Sequence, residues 1–312
     1  MYFASETPKL FGVQVAVLAL VIAAFGFVVS LIALGWQISK HILDGGRVKV
    51  YLNPAILEPN FRLITNRNGK WPISTKDLDH VKPENLEVAQ LVVENPGRTA
   101  VTVYTPSLAV YGVRNQEYTI APRMFNLEKF GSDSASTENV VRINPYDRAT
   151  FLLDYWSIVP RVLSEAGSSG IRLRGNVSVA GRRRSRKSKR RLQWRIPQGS
   201  WTSVEGLDYL SPFTVMWREL YKLTSRPESE VGEGTGGHSL MHGGILIHTV
   251  LAFQERPSLD DFTEQFRRSA QEFEVSSAGF AFYASRMYEA LDRYSGHLEP
   301  WSNFPGNSSR GE

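Results

Sequence analysis

The sequence predicts a single-pass transmembrane helix followed by an all-β antiparallel sandwich, immunoglobulin-like or related, and a mainly α-helical carboxy-terminal region. Three observations carry this: an uncharged apolar run near the amino terminus, a dominant period of two from Arg47 to Ile196, and aromatic residues at helical spacing after Pro197. The expected divisions are a short tail (1–9), the spanning helix (10–38), the sandwich (47–196), an amphipathic helix with a Gly/Glu/Ser-rich connector (197–239), an apolar segment with two amphipathic helices (240–296) and a polar tail (297–312).

Between Lys9 and Lys40 stand 30 consecutive residues without a charge, and only Gln14, Ser30, Gln37 and Ser39 among them are polar. Crossing about 30 Å of hydrocarbon takes roughly 20 apolar residues; Leu10 to Trp36 supplies 27. A cleaved signal peptide has an apolar core of roughly 7–15 residues and a small-x-small cleavage site. The run is too long for that and reads as a retained anchor. Lys9 stands alone on its amino side, whereas Lys40, Arg47 and Lys49 follow it. This excess places the amino terminus outside and the body on the cytoplasmic side of the cell (plasma or inner) membrane.

The small residues of the run form a pattern. Gly12, Ala16, Ala19, Ala23, Gly26, Ser30 and Ala33 follow one another at alternating steps of 4 and 3. A repeat averaging 3.5 lays one narrow stripe along a helix, and small side chains let two backbones approach closely in a bilayer. The stripe predicts a homo-oligomer seam with left-handed crossing.

Val48, Val50 and Leu52 alternate with Arg47, Lys49 and Tyr51. Leu86 to Val93 leads into Asn95-Pro96-Gly97-Arg98, where Pro followed by Gly suits a type II turn, and then into Ala100 to Tyr104. Further β-rich runs cover Leu108–Tyr111, Tyr118–Ile120, Val140–Ile143, Thr150–Tyr155, Ile171–Val179 and Leu192–Ile196. Short strands broken by Pro, Gly, Asn and Ser clusters suggest a sandwich.

After Pro197 the period changes. Ser211-Pro212 caps and opens a helix whose apolar face is Phe213, Met216, Trp217, Leu220 and Leu223. Arg226 to Ser239 reads as a flexible connector, and Gly244 to Phe253 fits a buried strand or a buried helix equally. Ser258-Leu259-Asp260-Asp261 marks a helix start with an acidic first turn. Phe262, Phe266, Ala270 and Phe273 line that helix, and Phe280, Ala284, Met287, Leu291 and Tyr294 line the next.

The net charge of +5 has one source: residues 182–196 hold nine basic groups and no acidic one, whereas residues 197–312 hold nine basic and 16 acidic. The cationic residues are Arg182, Arg183, Arg184, Arg186, Lys187, Lys189, Arg190, Arg191 and Arg195, set between two alternating stretches, so a β-hairpin with a cationic tip and solvent face is expected. An anionic lipid surface attracts such clusters by about 1 kcal/mol per basic residue. An acidic protein partner, or the acidic carboxy-terminal region itself, would serve as well. A solvated tip that blocks edge-to-edge pairing is the simplest use. Nucleic acid is disfavoured because aromatic interleaving is missing; Trp194 is the one aromatic nearby and alternates inward.

The chain has no cysteine, which excludes disulfides, thiolate catalysis, zinc–thiolate sites and iron–sulfur clusters. Gly232-Glu233-Gly234-Thr235-Gly236-Gly237-His238-Ser239 satisfies a G-x-G-x-x-G spacing, but no strand precedes it and two glutamates oppose phosphate. His238, His242 and His248 cluster within 11 residues, yet the flanking glycines disfavour a helix and no carboxylate follows in the zincin arrangement. Gly167-Ser168-Ser169-Gly170 lacks the strand-to-helix context of a nucleophile elbow. No catalytic signature and no cofactor or metal motif emerges. The expectation is a non-catalytic binding or scaffolding module at the membrane surface, self-associating through its helix. Its rivals are a membrane-tethered enzyme on a lipid-linked or surface substrate, with a site near the three histidines, and a nucleic-acid tether working through 182–195.

Overall fold

The apolar run folds as one long helix, α1 (Val15–Asp44), preceded by a two-residue β pairing of β1 (Lys9–Leu10) with β2 (Val13–Gln14). In the computed structural model, residues 9–10, 13–57, 63–66, 69–73, 86–114, 116–125, 135–156, 158–200, 202–203, 210–224, 235–276 and 278–301 are described, with side chains except at 9, 10, 13, 41–44 and 235–241. Gly12 of the small-residue stripe, the connector up to residue 234 and the tail from residue 302 lie outside the described residues. The helix starts at Val15, later than the expected residue 10, and continues to Asp44. By length and composition, its segment Val15–Lys40 is able to cross a membrane, and none of that segment is buried in the rest of the protein. Leu20, Phe25 and Trp36 are 70%, 73% and 73% exposed. Apolar surface on this scale demands a covering other than water.

Two antiparallel β-sheets follow. The first runs in the order β4 (Leu63–Thr65), β3 (Lys49–Leu57), β5 (Leu86–Glu94), β9 (Arg148–Leu153). The second is built on β6 (Val101–Val113), which is long enough to take two partners in tandem on one edge: β8 (Val140–Ile143) beside its start and β7 (Gln116–Ile120) beside its end. On its other edge lies β10 (Ile171–Val179), itself bordered in tandem by β11 (Arg186–Lys187) and β12 (Trp194–Ile196). The alternation in β10 decides its placement: Ile171, Leu173, Val177 and Val179 are buried and Arg172 is exposed. The sheets meet face to face at Gly175, where an added Cβ would overlap Leu91 and stand 3.3 Å from Leu52 and 3.4 Å from Val50.

Between Leu153 and Ile171 lies a short helix, α2 (Val159–Glu165). Four longer helices close the chain: α3 (Pro212–Thr224), α4 (Thr235–Leu251), α5 (Leu259–Glu272) and α6 (Phe280–Arg293). Ser258 caps α5 by accepting a hydrogen bond from the Asp261 amide at 3.1 Å, which satisfies one of the helix's orphan donors. Phe262, Phe266 and Ala270 are fully buried, while Phe273 ends the stripe at 40% exposure. α4 corrects the expected connector, because its helical backbone begins at Thr235 and includes Gly236, Gly237, Gly243 and Gly244. Gly243 explains how a glycine-rich segment stays helical: a Cβ there would come within 2.8 Å of the Trp217 ring on α3, so the glycine permits close packing that outweighs its low propensity. Residues from both sheets and from α2 to α6 belong to one contiguous buried cluster.

The junction between α1 and the sheets is built by Asn95, which has no solvent exposure. Its amide oxygen accepts from Arg47 N (3.2 Å) and Gly97 N (3.1 Å), and its amide nitrogen donates to the carbonyls of Thr99 (2.9 Å), Ile143 (3.3 Å) and Asn144 (3.1 Å). A Cβ on Gly97 would overlap the carbonyl oxygen of Gly45, so only glycine lets the turn approach the chain leaving α1. Asn95→Ala orphans these buried backbone groups and should destabilise the body by about 1–3 kcal/mol. Thermal melting of the detergent-solubilised protein checks this, with an unchanged melting point contradicting it.

Candidate functional site

Two regions concentrate polar chemistry, and they lie at opposite ends of the sheets. β3, β5 and β9 place Lys49, Glu94 and Arg148 side by side at the end nearest α1. β5 is nine residues long, so its other end, at Leu86 and Glu87, stands about 27 Å away.

At that far end Glu87 and Arg218 form a buried ion pair, each side chain 7% exposed. The carboxylate also accepts from Tyr155 Oη, Thr202 Oγ1, Ser203 N and Ser203 Oγ, all at 2.6 Å. The Arg218 guanidinium lies 4.4 Å from the centre of the Trp156 ring, a cation–π contact. Tyr155 in turn packs against Trp71 and Trp194, with centroids 5.5 and 5.6 Å apart. Burial opposes ionisation of Glu87, but Arg218 and the hydroxyl donors of Ser203, Thr202 and Tyr155 together hold its carboxyl below the ordinary glutamate range. Burial and the neighbouring Glu87 push the Tyr155 phenol well up. With five donors on two oxygens, Glu87 has no free lone pair to act as a general base. It joins β5 to α3, which makes it a structural clamp.

Beside the clamp is a cavity of about 520 Å³ between the end of β9, α2, α3 and α6, lined by Asp154, Trp156, Arg161, Arg218, Lys222 and Arg293 among others. Glu219 on its wall lies 3.6 Å from Lys222 and 3.4 Å from Arg293. The hydroxyl of Ser164, also on the wall, donates to the Arg161 carbonyl at 2.7 Å. The expected histidine site takes a different form. His242 is buried against Phe280 and Tyr283, at 5.7 and 6.3 Å between centroids. His248 sits 3.2 Å from Ser269 Oγ and 3.4 Å from Glu272 Oε2. These are separate environments, and the His238 side chain lies outside the described residues. Among the described residues no group of three or more His, Asp or Glu could hold a metal.

The cationic segment begins at the near end and runs toward the far one. It returns along β10 as an interrupted arm rather than a regular strand: β11, then a 3-10 turn at Arg190–Leu192, then β12. The nine basic residues are thereby spread along the sheet. Arg182, Arg183 and Arg184 occupy the turn after β10, and Arg186 stands opposite Val177. Lys187 forms an ion pair with Glu117, which holds the Lys187 ammonium charged and the Glu117 carboxyl below its usual range. Lys189, Arg190 and Arg191 follow as exposed groups, and Arg195 pairs directly with Arg172 across the strands. Ser188 pins the arm to β10: its buried hydroxyl accepts from Gly175 N at 3.1 Å, and Arg174 Nε donates to its carbonyl at 2.8 Å. Arg182 Nη2 donates to the carbonyl of Gly46 at 2.7 Å, so the cationic turn is tied to the chain just beyond α1. The small residues Ala16, Ala19, Ala23, Gly26, Ser30 and Ala33 are all exposed along α1, and nothing lies within 4 Å of a Cβ placed on Gly26.

Comparison of the chain with protein-family models, curated proteins and solved structures gives no match.

The Glu87–Arg218 clamp escaped sequence reasoning because its members are 131 residues apart and each belongs to an unremarkable strand or helix pattern. Glu87→Gln removes the charge that balances buried Arg218 and should cost about 3–5 kcal/mol. The folded pKa of Glu87 lies below its unfolded value of about 4.3, so its stabilisation is present above that pH and is lost as pH falls through the folded pKa. Denaturation curves between neutral pH and pH about 3 should show a shallower acid decline for Glu87→Gln than for the native chain, and parallel declines would refute this assignment.

Proposed function

We propose that the protein is a single-pass membrane-anchored, non-catalytic binding or scaffolding module. In this reading α1 remains in the bilayer of the cell membrane, the two sheets form an immunoglobulin-like sandwich, and the body stands on the cytoplasmic side. The observation that carries it is the pairing of a wholly unburied apolar helix with a junction that is hydrogen-bonded into the body. An apolar helix with no protein cover favours hydrocarbon, and the fixed junction holds the body beside it. The sandwich reading draws on the contact of both sheets at Gly175 and on their antiparallel, alternating strands. The cytoplasmic placement draws on Lys40, Arg47 and Lys49 after the apolar run.

Self-association through α1 is part of the same proposal. It is supported by the exposed small-residue stripe and by Ser30, whose hydroxyl donates to the Gly26 carbonyl at 2.8 Å. That bond satisfies the hydroxyl within its own helix, so the stripe presents no unpaired polar group to lipid or to a second helix.

Carbonate extraction of membranes holding reporters fused at residue 1 and after residue 312 tests the anchor. The expected product is full-length, stays with the membrane and carries its carboxy-terminal reporter in the cytoplasm. A shortened product in the soluble fraction overturns the proposal. In a membrane two-hybrid assay, combined Ala19→Leu, Ala23→Leu and Gly26→Leu should abolish the self-association signal, and an undiminished signal removes the stripe from the reading.

A further inference from the structure

Resting on the membrane-anchor reading, the geometry points to a division of the cationic stripe: the turn bearing Arg182, Arg183, Arg184 and Arg186 faces the bilayer and binds anionic lipid headgroups, whereas Arg190, Arg191 and Arg195 do not take part. The partner is thus a lipid surface rich in phosphate and carboxylate, and it is met by four arginines rather than by the whole basic run.

Position decides this. The chain leaves α1 at Asp44, and Gly46 follows two residues later, at most about 7 Å of extended chain. Arg182 is bonded to the Gly46 carbonyl, so the turn cannot lie far from the end of α1, whatever the tilt of the helix. Turn geometry reinforces the placement: Gly181 adopts φ +73° and Arg182 N donates to the Val179 carbonyl at 3.0 Å, which folds the chain back over the same end of the sheet. The exposed apolar surface of α1 extends to Ile38, and the six residues to Asp44 rise about 9 Å, of which the headgroup layer covers more than half. The arginines of the turn therefore stand within about one Debye length, 8–10 Å, of the lipid surface. Arg195 pairs with Arg172, five residues before Val177, the partner of Arg186, and so lies about 17 Å further along the strand from the joint, a separation greater than the Debye length.

The surroundings of the turn suit this partner. Arg183, Arg184 and Arg186 are exposed, and among the described residues no carboxylate is within ion-pair distance of them or of Arg182. Lys187, the next cation, is instead held by Glu117. Tyr146, 72% exposed, lies at the same end, and Arg98 Nε donates to its hydroxyl at 3.3 Å, which adds an amphipathic ring of the kind enriched at membrane interfaces. Asp44 closes α1 at this end, and Asp147 and Glu94 are its acidic groups among the residues whose side chains are described; Glu94 sits opposite Lys49 and Arg148 in the ladder.

The absence of cysteine makes the test direct, because Ser185→Cys gives a single labelling site in the turn. The full chain carrying a fluorophore there is reconstituted into nanodiscs of phosphatidylcholine with and without phosphatidylserine, each with a headgroup-attached quencher. Quenching should rise by about twofold with phosphatidylserine and fall back in high salt. Combined Arg183→Glu, Arg184→Glu and Arg186→Glu should remove the rise, while combined Arg190→Glu, Arg191→Glu and Arg195→Glu, an equal change in charge, should leave it. Equal loss in both variants, no loss in either, or no rise at all overturns the proposal. Binding of duplex DNA by the protein in neutral nanodiscs, weakened most by the Arg190, Arg191 and Arg195 changes, would give the stripe to nucleic acid instead. Release of the protein from both kinds of nanodisc by carbonate would mark failure of the anchor reading itself.

Discussion

Attaching a folded body rigidly to the end of a long helix requires that the peptide groups of the joint find partners away from water, and a single side chain supplies them here. Asn95 accepts from Arg47 and Gly97 and donates to Thr99, Ile143 and Asn144, so two turns and the chain leaving α1 converge on one amide. An amide has both donor and acceptor faces, which aspartate or a hydroxyl could not match in this geometry. These bonds tie the chain leaving α1 to one end of the sheets, so positions along the strands are counted from that joint. The functional proposals draw on that coordinate.

The two ends of the sheets solve different electrostatic problems. At the far end, charge is taken out of water and balanced internally: Glu87 meets Arg218 and four further donors. Such a pair adds little net stability, because desolvation offsets its attraction, but it leaves α3 one position in which the charges match. At the near end, Glu94 stands opposite Lys49 and Arg148 and Glu117 holds Lys187, while Arg183, Arg184 and Arg186 are left in solvent with no ion pair among the described residues. The cavity between α2, α3 and α6 belongs with the far end, where Glu219 lies close to both Lys222 and Arg293. The acidic carboxy-terminal region thus meets its own basic residues in the described ion pairs.

Much of the β architecture was legible because alternation reports directly on burial. Ile171, Leu173, Val177 and Val179 announce an inward face, and the Asn95-Pro96-Gly97 turn announces a reversal. Pro212 and Ser258 mark helix starts for local reasons that survive folding. α4 was hidden because its glycines report on intrinsic propensity, whereas its helicity depends on Trp217 lying against Gly243, a contact no local pattern encodes. The tandem arrangement of β8 and β7 along β6 was hidden for a similar reason, since period two fixes which face is buried but not which strand is the neighbour. The basic run was legible as an antiparallel return along β10 with a cationic turn and outward arginines, whereas the break in this stripe between β11 and β12 was not.

That stripe contains an arrangement that electrostatics within the body does not favour. Arg195 and Arg172 face each other directly across β12 and β10, and like charges at opposed positions cost stability. Both are exposed, so water screens much of the repulsion, and the cost stays small. The same screening governs the lipid. An anionic leaflet projects its field only about one Debye length, so a charge gains from it according to height above the surface and not according to membership of a basic run. A strand carries its residues away from the joint by about 3.4 Å each. Within three or four residues of the turn, the attraction has therefore largely decayed, and cations beyond that point interact chiefly with solvent and one another. In the proposed anchored state, the hydrogen bond from Arg182 to Gly46 sets the origin of that scale, and through it the backbone beyond the helix would determine which arginines meet the lipid.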